Sequence, residues 1–158
     1  MPIAIIAVGR LKEKYWRDAA QEYIKRIGRY DKIAADEVAD RPEPAKAGDR
    51  ALELIALKEG EAVLSRIRKD DEVIALCIDG ATFSSEAFAE SLLCVKNSGR
   101  RHVFVVGGSN GIGSNILSRA DGRLSFSPMT FPHQLARVML LEQIYRACKI
   151  NAGERYHK

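Results

Sequence analysis

Two short patterns in this sequence combine residue types that could bind a nucleotide-like ligand. The stretch VFVVGGSNGIGSNI, residues 103–116, places Gly107, Gly111 and Gly113 between an apolar run and a segment with helical character. Tyr145 and Lys149 follow at a spacing of four residues. Because glycine has no side chain, such a turn lets backbone amides approach a ligand closely. The first question is therefore which ligand this turn holds.

The two patterns resemble those of short-chain dehydrogenases, but their order along the chain argues against a nicotinamide cofactor. A dinucleotide-binding fold needs its glycine turn directly after the first strand, with further strand–helix units behind it. Here the turn follows the fourth predicted strand, and only one more strand can follow. Tyr145 and Lys149 are then simply neighbours on one helix.

The glycine turn is one of three loops predicted to meet at one edge of a sheet. The other two are residues 76–80 and 126–131, which also follow predicted strands. Ligands of α/β sheets bind at the carboxyl ends of the strands. The pocket would have apolar walls, backbone donors and few charges, since the sequence has no Walker lysine. That chemistry suits an aromatic base and a thioether better than a triphosphate.

The hydrophobic pattern predicts strands that alternate with helices along the whole chain. This order indicates a single α/β domain over residues 1–158, with three layers and a mainly parallel sheet. The predicted strands are 2–9, 32–40, 72–79, 102–107 and 123–127; the predicted helices are 15–27, 49–69, 85–96 (capped by Ser84 or Ser85), 114–120 and 132–150.

The composition is that of an ordinary soluble globular protein, with 46% hydrophobic and 29% charged residues in 158. No apolar run is long enough to span a bilayer, and the N-terminus lacks the pattern of a signal peptide, so we expect a cytoplasmic protein and no membrane. Cys77, Cys94 and Cys148 lie in apolar segments and are expected to be buried, reduced thiols. The histidines have no metal-binding spacing, so no metal is expected.

Basic residues are concentrated at the two ends of the chain. Residues 1–32 and 133–158 are rich in lysine and arginine, whereas residues 36–61 are mainly acidic. If both ends lie on one side of the fold, they form a basic face suited to a polyanion. On charge alone, an ordinary solvated surface is equally consistent.

Five blocks of the sequence together indicate a family. They are IIAVGRLKEKYW, EYIKRI, LCIDG, FVVGGSNGIG and the C-terminal SFSPMTFPHQLARVMLLEQIYRACKINAGERYHK. In this order they resemble, over essentially the whole chain, the ribosomal large-subunit RNA pseudouridine N3-methyltransferase family (RlmH) of the SPOUT superfamily. The C-terminal block is the most specific of the five.

The resemblance implies a deep trefoil knot in the C-terminal part of the domain, which periodicity alone could not predict. It also implies a homodimer that binds S-adenosylmethionine in the knot and methylates N3 of a pseudouridine in 23S rRNA of the assembled ribosome. By position, the implied cofactor residues are Leu76, Gly108, Phe126, Ser127, Pro128, Met129, Thr130 and Phe131. Among these, Pro128 has no amide hydrogen to offer a ligand.

The catalytic and RNA-binding residues are less sharply indicated. His157, with Tyr156 beside it, is the natural proton acceptor at neutral pH, although both could merely fold over the cofactor or be disordered. His133 could be structural or contact a phosphate. Arg146 could bind RNA or form an ion pair with Glu142. The candidate RNA ligands are Arg137, Arg146, His133 and Lys158.

The last predicted helix is apolar on more than one side, which favours packing against a second partner. We therefore expect a dimer interface there, near the first helix with Tyr15 and Trp16. A non-catalytic RNA-binding protein with a vestigial cofactor pocket remains the alternative to an enzyme.

Overall fold

The computed structural model describes residues 3–155, which form strands and helices in strict alternation. Runs of β-branched residues form the strands, and apolar residues at helical spacing form the helices. The elements are β1 (Ile3–Val8), α1 (Lys14–Ile27), β2 (Ile33–Val38), α2 (Asp49–Leu64), β3 (Glu72–Ala81), α3 (Ser85–Ser98), β4 (His102–Val106), α4 (Ser114–Arg119), β5 (Gly122–Leu124) and α5 (His133–Asn151).

These strands form one parallel sheet in the order β2-β1-β4-β3-β5. Helices cover both of its faces, so the predicted three-layer α/β architecture is confirmed. Ile5 and Phe104 pack towards α1, α3 and α5 on one face, whereas Ile6 and Val105 pack towards α2 and α4 on the other. The central strands β1 and β4 are buried on both faces, which explains their continuous apolar sequences.

Some predicted boundaries and burial states differ from the structure. α2 ends at Leu64 rather than at residue 69, and β5 has only three residues. Cys94 is exposed on α3 rather than buried, because that helix packs on the sheet through Phe88, Ala89 and Leu92. Within residues 3–155, no helix has the length and apolar character needed to cross a membrane.

Much of the broad apolar surface of α5 is buried by packing within the chain. It lies against both α1 and α3, and Leu140, Leu141 and Ile144 are fully buried. Tyr15 on α1 is 64% exposed. The packing of α1 beside α5 also brings the two basic ends of the chain into the same helical layer.

Gly60 shows a conflict between helix propensity and packing. It lies inside α2, where a Cβ would approach the Asn115 side-chain oxygen to 2.3 Å. Asn115 in turn donates a hydrogen bond to the Leu57 carbonyl at 2.9 Å and accepts one from the Ile116 amide. Only glycine lets α4 approach α2 this closely.

We therefore predict that Gly60→Ala destabilises the protein. Alanine gains about 1 kcal/mol of helix propensity, but displacing Asn115 costs about 1–3 kcal/mol. Urea unfolding should show a net loss of up to about 2 kcal/mol. In an Asn115→Ala background the same change should be neutral or stabilising, and a loss there as large as in the parent would contradict this explanation.

Candidate active site

A cavity of about 670 Å³ opens at the carboxyl-terminal edge of the sheet. It lies where β3, β4 and β5 end, so the three predicted loops meet at one place. The lining residues are Leu76, Cys77, Ile78, Val106, Gly107, Gly108, Ser109, Gly111, Ile112, Ser125, Phe126, Ser127, Met129, Thr130, Phe131, Pro132, His133 and Ala136.

The glycine loop forms one wall of this cavity by turning tightly after β4. The Gly111 amide donates to the Gly108 carbonyl at 3.1 Å, and Gly111 has a φ of 76°, which favours glycine. At Gly107 a Cβ would lie 2.6 Å from the Gly111 carbonyl oxygen. The sequence therefore needs glycine here to fold the loop back on itself beside the cavity.

Two serines shape the opposite wall. The buried Ser125 hydroxyl donates to the Ser127 carbonyl at 3.0 Å, and the Ser127 hydroxyl accepts from the Met129 amide at 3.0 Å. Such side-chain-to-backbone bonds fix a loop that has no regular secondary structure. They hold Met129, which is 72% exposed, at the rim of the cavity.

α5 begins at the cavity and closes it with His133 and Ala136. Burial lowers the pKa of His133, and the nearby charge of Arg137 lowers it further, so this imidazole is neutral at pH 7. Ala136 is buried, and its small side chain leaves room in the cavity.

The cavity carries no ionised side chain among its lining residues. Burial, together with Asp79 beside it, raises the pKa of the Cys77 thiol to about 11, so Cys77 stays protonated. No group of three His, Cys, Asp or Glu residues within residues 3–155 could hold a metal ion. Apolar walls with backbone polar groups suit an aromatic ring and a small polar chain.

The structure gathers most of the predicted cofactor residues around this cavity. Pro128 is exposed and is not among the lining residues, whereas the other seven line it. Ala136 and Ser125 were missed by the sequence analysis, although a small residue in the first turn of a helix that follows a binding loop is a usable signal. The predicted set that lines the cavity is Leu76, Gly108, Phe126, Ser127, Met129, Thr130 and Phe131.

Unlike the predicted cofactor residues, the predicted RNA ligands Arg137 and Arg146 do not line the cavity. Arg137 is only 3% exposed, and its guanidinium donates to Glu37 at 2.6 Å and to the Gly9 carbonyl at 2.9 Å. The buried Arg137 is thus engaged within the protein, and a phosphate would have to displace both of these partners, which argues against the prediction that Arg137 contacts RNA. Arg146 is half-buried and pairs with Glu142 at 2.9 Å. Tyr156, His157 and Lys158 lie outside the described residues.

A second cavity of about 210 Å³ lies at the opposite edge of the sheet, beside His102 and Cys148. It is smaller than the roughly 300 Å³ at which ligand pockets usually begin. Burial lowers the pKa of His102 to about 4, so this histidine is an uncharged core residue. The larger cavity is the stronger candidate site.

The chain as a whole is similar to known proteins. Residues 1–157 match the family described as "Predicted SPOUT methyltransferase". The chain is 54% identical over 159 residues to the ribosomal RNA large subunit methyltransferase H of Bifidobacterium adolescentis, and the match covers all of both chains. A crystal structure of a methylase family protein from Neisseria gonorrhoeae has the same fold, with a TM-score of 0.56 at 13% identity over 99% of this chain and 86% of the other.

Proposed function

Because the chain belongs to the SPOUT methyltransferase family, we propose that its large cavity binds S-adenosylmethionine and that it methylates N3 of a pseudouridine in 23S rRNA of the assembled ribosome. The observation that carries this proposal is the cavity itself, in which a glycine loop, a serine-shaped loop and the start of α5 meet without any ionised side chain.

The residues present fit such a cofactor. The cavity volume of about 670 Å³ lies in the usual range for small-molecule sites. Phe126, Ile112 and Leu76 offer apolar surface to an adenine ring, while the backbone of the glycine loop offers polar groups. When bound, the cofactor supplies a methyl group already activated by its sulfonium. The protein must orient the uracil ring behind that methyl group and remove the N3 proton.

Among residues 3–155, the titratable side chains that line the cavity are poor proton acceptors. His133 and Cys77 are the titratable residues that line it, and Cys77 keeps its own proton at neutral pH. His133 packs beside buried Arg137, whose positive charge makes a second cation unfavourable there. We therefore assign proton removal to His157, assisted by Tyr156, as the sequence analysis predicts.

Chain geometry supports the presence of a second subunit. α5 starts at the cavity and runs for 19 residues, or about 28 Å, to the opposite edge of the sheet. There Glu154 is held by Lys149 and by Tyr30, whose hydroxyl donates at 2.8 Å. His157 follows Glu154 by three residues, a separation that spans at most about 11 Å, which is well short of the length of α5. This supports a homodimer in which each tail serves the partner's cavity.

We further propose that the C-terminal part of the chain forms a trefoil knot, with α5 passing through the loops around the cavity. Its support is the close crossing of β3 and β5. A Cβ on Gly80 would lie 2.5 Å from the Leu124 backbone, and β5 pairs with β3 both at Leu76 and, beyond an irregularity, at Ala81. From there α5 continues to the far side of the layer formed with α1 and α3.

The substrate form can be tested with ribosomes from a strain that lacks this gene. The protein is incubated with S-adenosylmethionine labelled in the methyl group and with 70S ribosomes, separated 50S subunits or free 23S RNA. We expect label in the 23S RNA of 70S particles and much less with either control, because a single small domain depends on the ribosome's shape for recognition. Equal labelling of free 23S RNA would contradict an assembled-ribosome substrate, and cofactor binding without any labelling would favour a non-catalytic RNA-binding protein.

A further inference from the structure

The loop between β1 and α1, residues 9–13, is held by an unusual number of side-chain contacts. Buried Arg137 donates to the Gly9 carbonyl at 2.9 Å and to Glu37 at 2.6 Å. The same Glu37 oxygen accepts from the Leu11 amide at 3.3 Å, and Leu11 itself is buried. Two side chains from distant parts of the sequence, Arg137 and Glu37, thus fix the loop's path.

Arg17, on α1, also contacts this loop, and we refer to Arg137, Glu37 and Arg17 together as the brace of the loop. The guanidinium of Arg17 donates to the Leu11 carbonyl at 3.0 Å and also to the Lys12 carbonyl. Burial lowers the pKa of Arg137, the Glu37 carboxylate opposes this shift, and the Arg137 guanidinium remains charged at neutral pH. A buried arginine does not benefit the fold by itself, since the desolvation of its charge offsets much of what the ion pair with the exposed Glu37 contributes.

What the brace presents to solvent is a pair of cations. Arg10 and Lys12 are exposed, and neither forms an ion pair with any carboxylate in residues 3–155. Most neighbouring cations are engaged: Lys14 pairs with Asp18 at 2.5 Å and Arg26 with Glu22 at 2.7 Å. Arg10 and Lys12 therefore combine a fixed backbone with side chains that are available to an anion.

The loop also lies next to the candidate active site. β1 and β4 are neighbours in the parallel sheet, so the loop after β1 emerges beside the glycine loop after β4. A Cβ on Gly108 would lie 3.1 Å from Val8, the last residue of β1. The loop also lies near His133, which lines the cavity, because the charge of Lys12 lowers the pKa of this histidine.

We propose that Arg10 and Lys12 bind phosphates of the RNA backbone at the mouth of the cofactor cavity, and that Arg137 and Glu37 are positioning residues for this loop. The inference rests on the proposed function, because it names how the same site holds its RNA. Arginine and lysine on a preorganised backbone bind phosphate with little loss of conformational entropy.

Two acidic side chains restrict where the phosphates can lie. Asp40 and Glu13 also approach His133, and their charges repel a phosphate placed directly over the histidine. The backbone of the RNA should therefore pass on the Arg10 and Lys12 side of the loop. Since phosphate contacts position a nucleic acid without reading its sequence, the pair sets the register of the RNA relative to the cavity.

The test compares Arg10→Ala/Lys12→Ala with a matched control, Arg29→Ala/Lys69→Ala. The control removes one arginine and one lysine, both exposed, near the opposite edge of the sheet. For each protein we would measure ribosome binding as a function of salt, KM and kcat for methyl transfer, and the cofactor Kd by calorimetry.

We expect the Arg10/Lys12 variant to bind ribosomes about tenfold more weakly and to lose about two units from the slope of log K against log salt. KM should rise while the cofactor Kd stays at the parent value, and the control should match the parent. Conservative Arg10→Lys/Lys12→Arg should restore most of the binding. If the parent transfers methyl groups and the Arg10/Lys12 variant behaves like the control, this inference is overturned; if the parent transfers none, the proposed function fails first.

Discussion

Ala136→Phe should weaken cofactor binding about 100-fold. A chain that carries it should regain activity in a dimer whose other chain carries His157→Ala. Ala136 is buried at the cavity wall, so a phenyl ring there occupies space that the ligand needs. Overpacking of about 3 kcal/mol corresponds to roughly 100-fold weaker binding. Gln134→Phe, on the same turn but outside the lining set, is the control and should bind normally.

Loss of a general base typically lowers the rate by about 100- to 10,000-fold, so His157→Ala homodimers should also be nearly inactive. A purified heterodimer of Ala136→Phe and His157→Ala chains keeps one intact cavity served by one intact tail. Its activity should be about half that of the parent, since a symmetric dimer has two equivalent sites.

The reciprocal heterodimer separates the two possible arrangements. When one chain carries both Ala136→Phe and His157→Ala and its partner is unchanged, the intact cavity faces the altered tail. If each tail acts at the cavity of the partner chain, this heterodimer should have almost no activity. Half of the parent activity in this heterodimer, with none in the first, would show that each tail serves its own chain and would remove the geometric support for the dimer.

The second large effect is expected at Asp71, far from the cavity. Its side chain is 1% exposed and accepts from Arg101 Nε at 2.9 Å and from the Arg68 amide at 2.7 Å. Asp71→Asn leaves the Arg101 charge without its carboxylate, and removing one partner of a buried pair costs about 3–5 kcal/mol. Because Arg101 is 16% exposed, we expect about 2–4 kcal/mol in urea unfolding. The exposed neighbour Asp70, changed to Asn, should shift stability by less than about 0.5 kcal/mol.

The same pair makes stability depend on pH in a defined direction. Burial alone would raise the pKa of Asp71, but hydrogen bonds from Arg101 and the Arg68 amide outweigh it, and the pKa is lowered. A lowered folded-state pKa gives stability that is present above the unfolded value of about 3.9 and is lost as pH falls through the folded value. The gap between the parent and Asp71→Asn should therefore be full at pH 7 and narrow below about pH 4. A gap that stays constant down to pH 3 would contradict this assignment.

Local sequence patterns were sufficient for the order of the elements and for the place of the cavity. Continuous apolar runs such as residues 102–107 need burial on both faces, which only a parallel sheet between helices supplies. Once the sheet is parallel, the loops after its strands must share an edge, so Leu76, Gly108 and Phe131 are brought together.

Long-range pairing was not visible in the same patterns. Arg137 and Glu37 are a hundred residues apart, and the apolar residues around Arg137 cover so much of α5 that its outward side could not be identified. In the sequence, the only indication of a buried cation was that Arg137 is surrounded by apolar residues of α5. Likewise, nothing near Gly60 indicates that Asn115 packs against it.

The chemical identity of the methylated nucleoside tests the proposed reaction most directly. Ribosomes from a strain lacking this gene are incubated with the protein and S-adenosylmethionine labelled in the methyl group, and the 23S RNA is digested for mass spectrometry. We predict a single labelled nucleoside, pseudouridine methylated at N3, which disappears when Ala136→Phe replaces the parent. Label on another base or on ribose would contradict the proposed reaction, and label that persists with Ala136→Phe would contradict the proposed cavity.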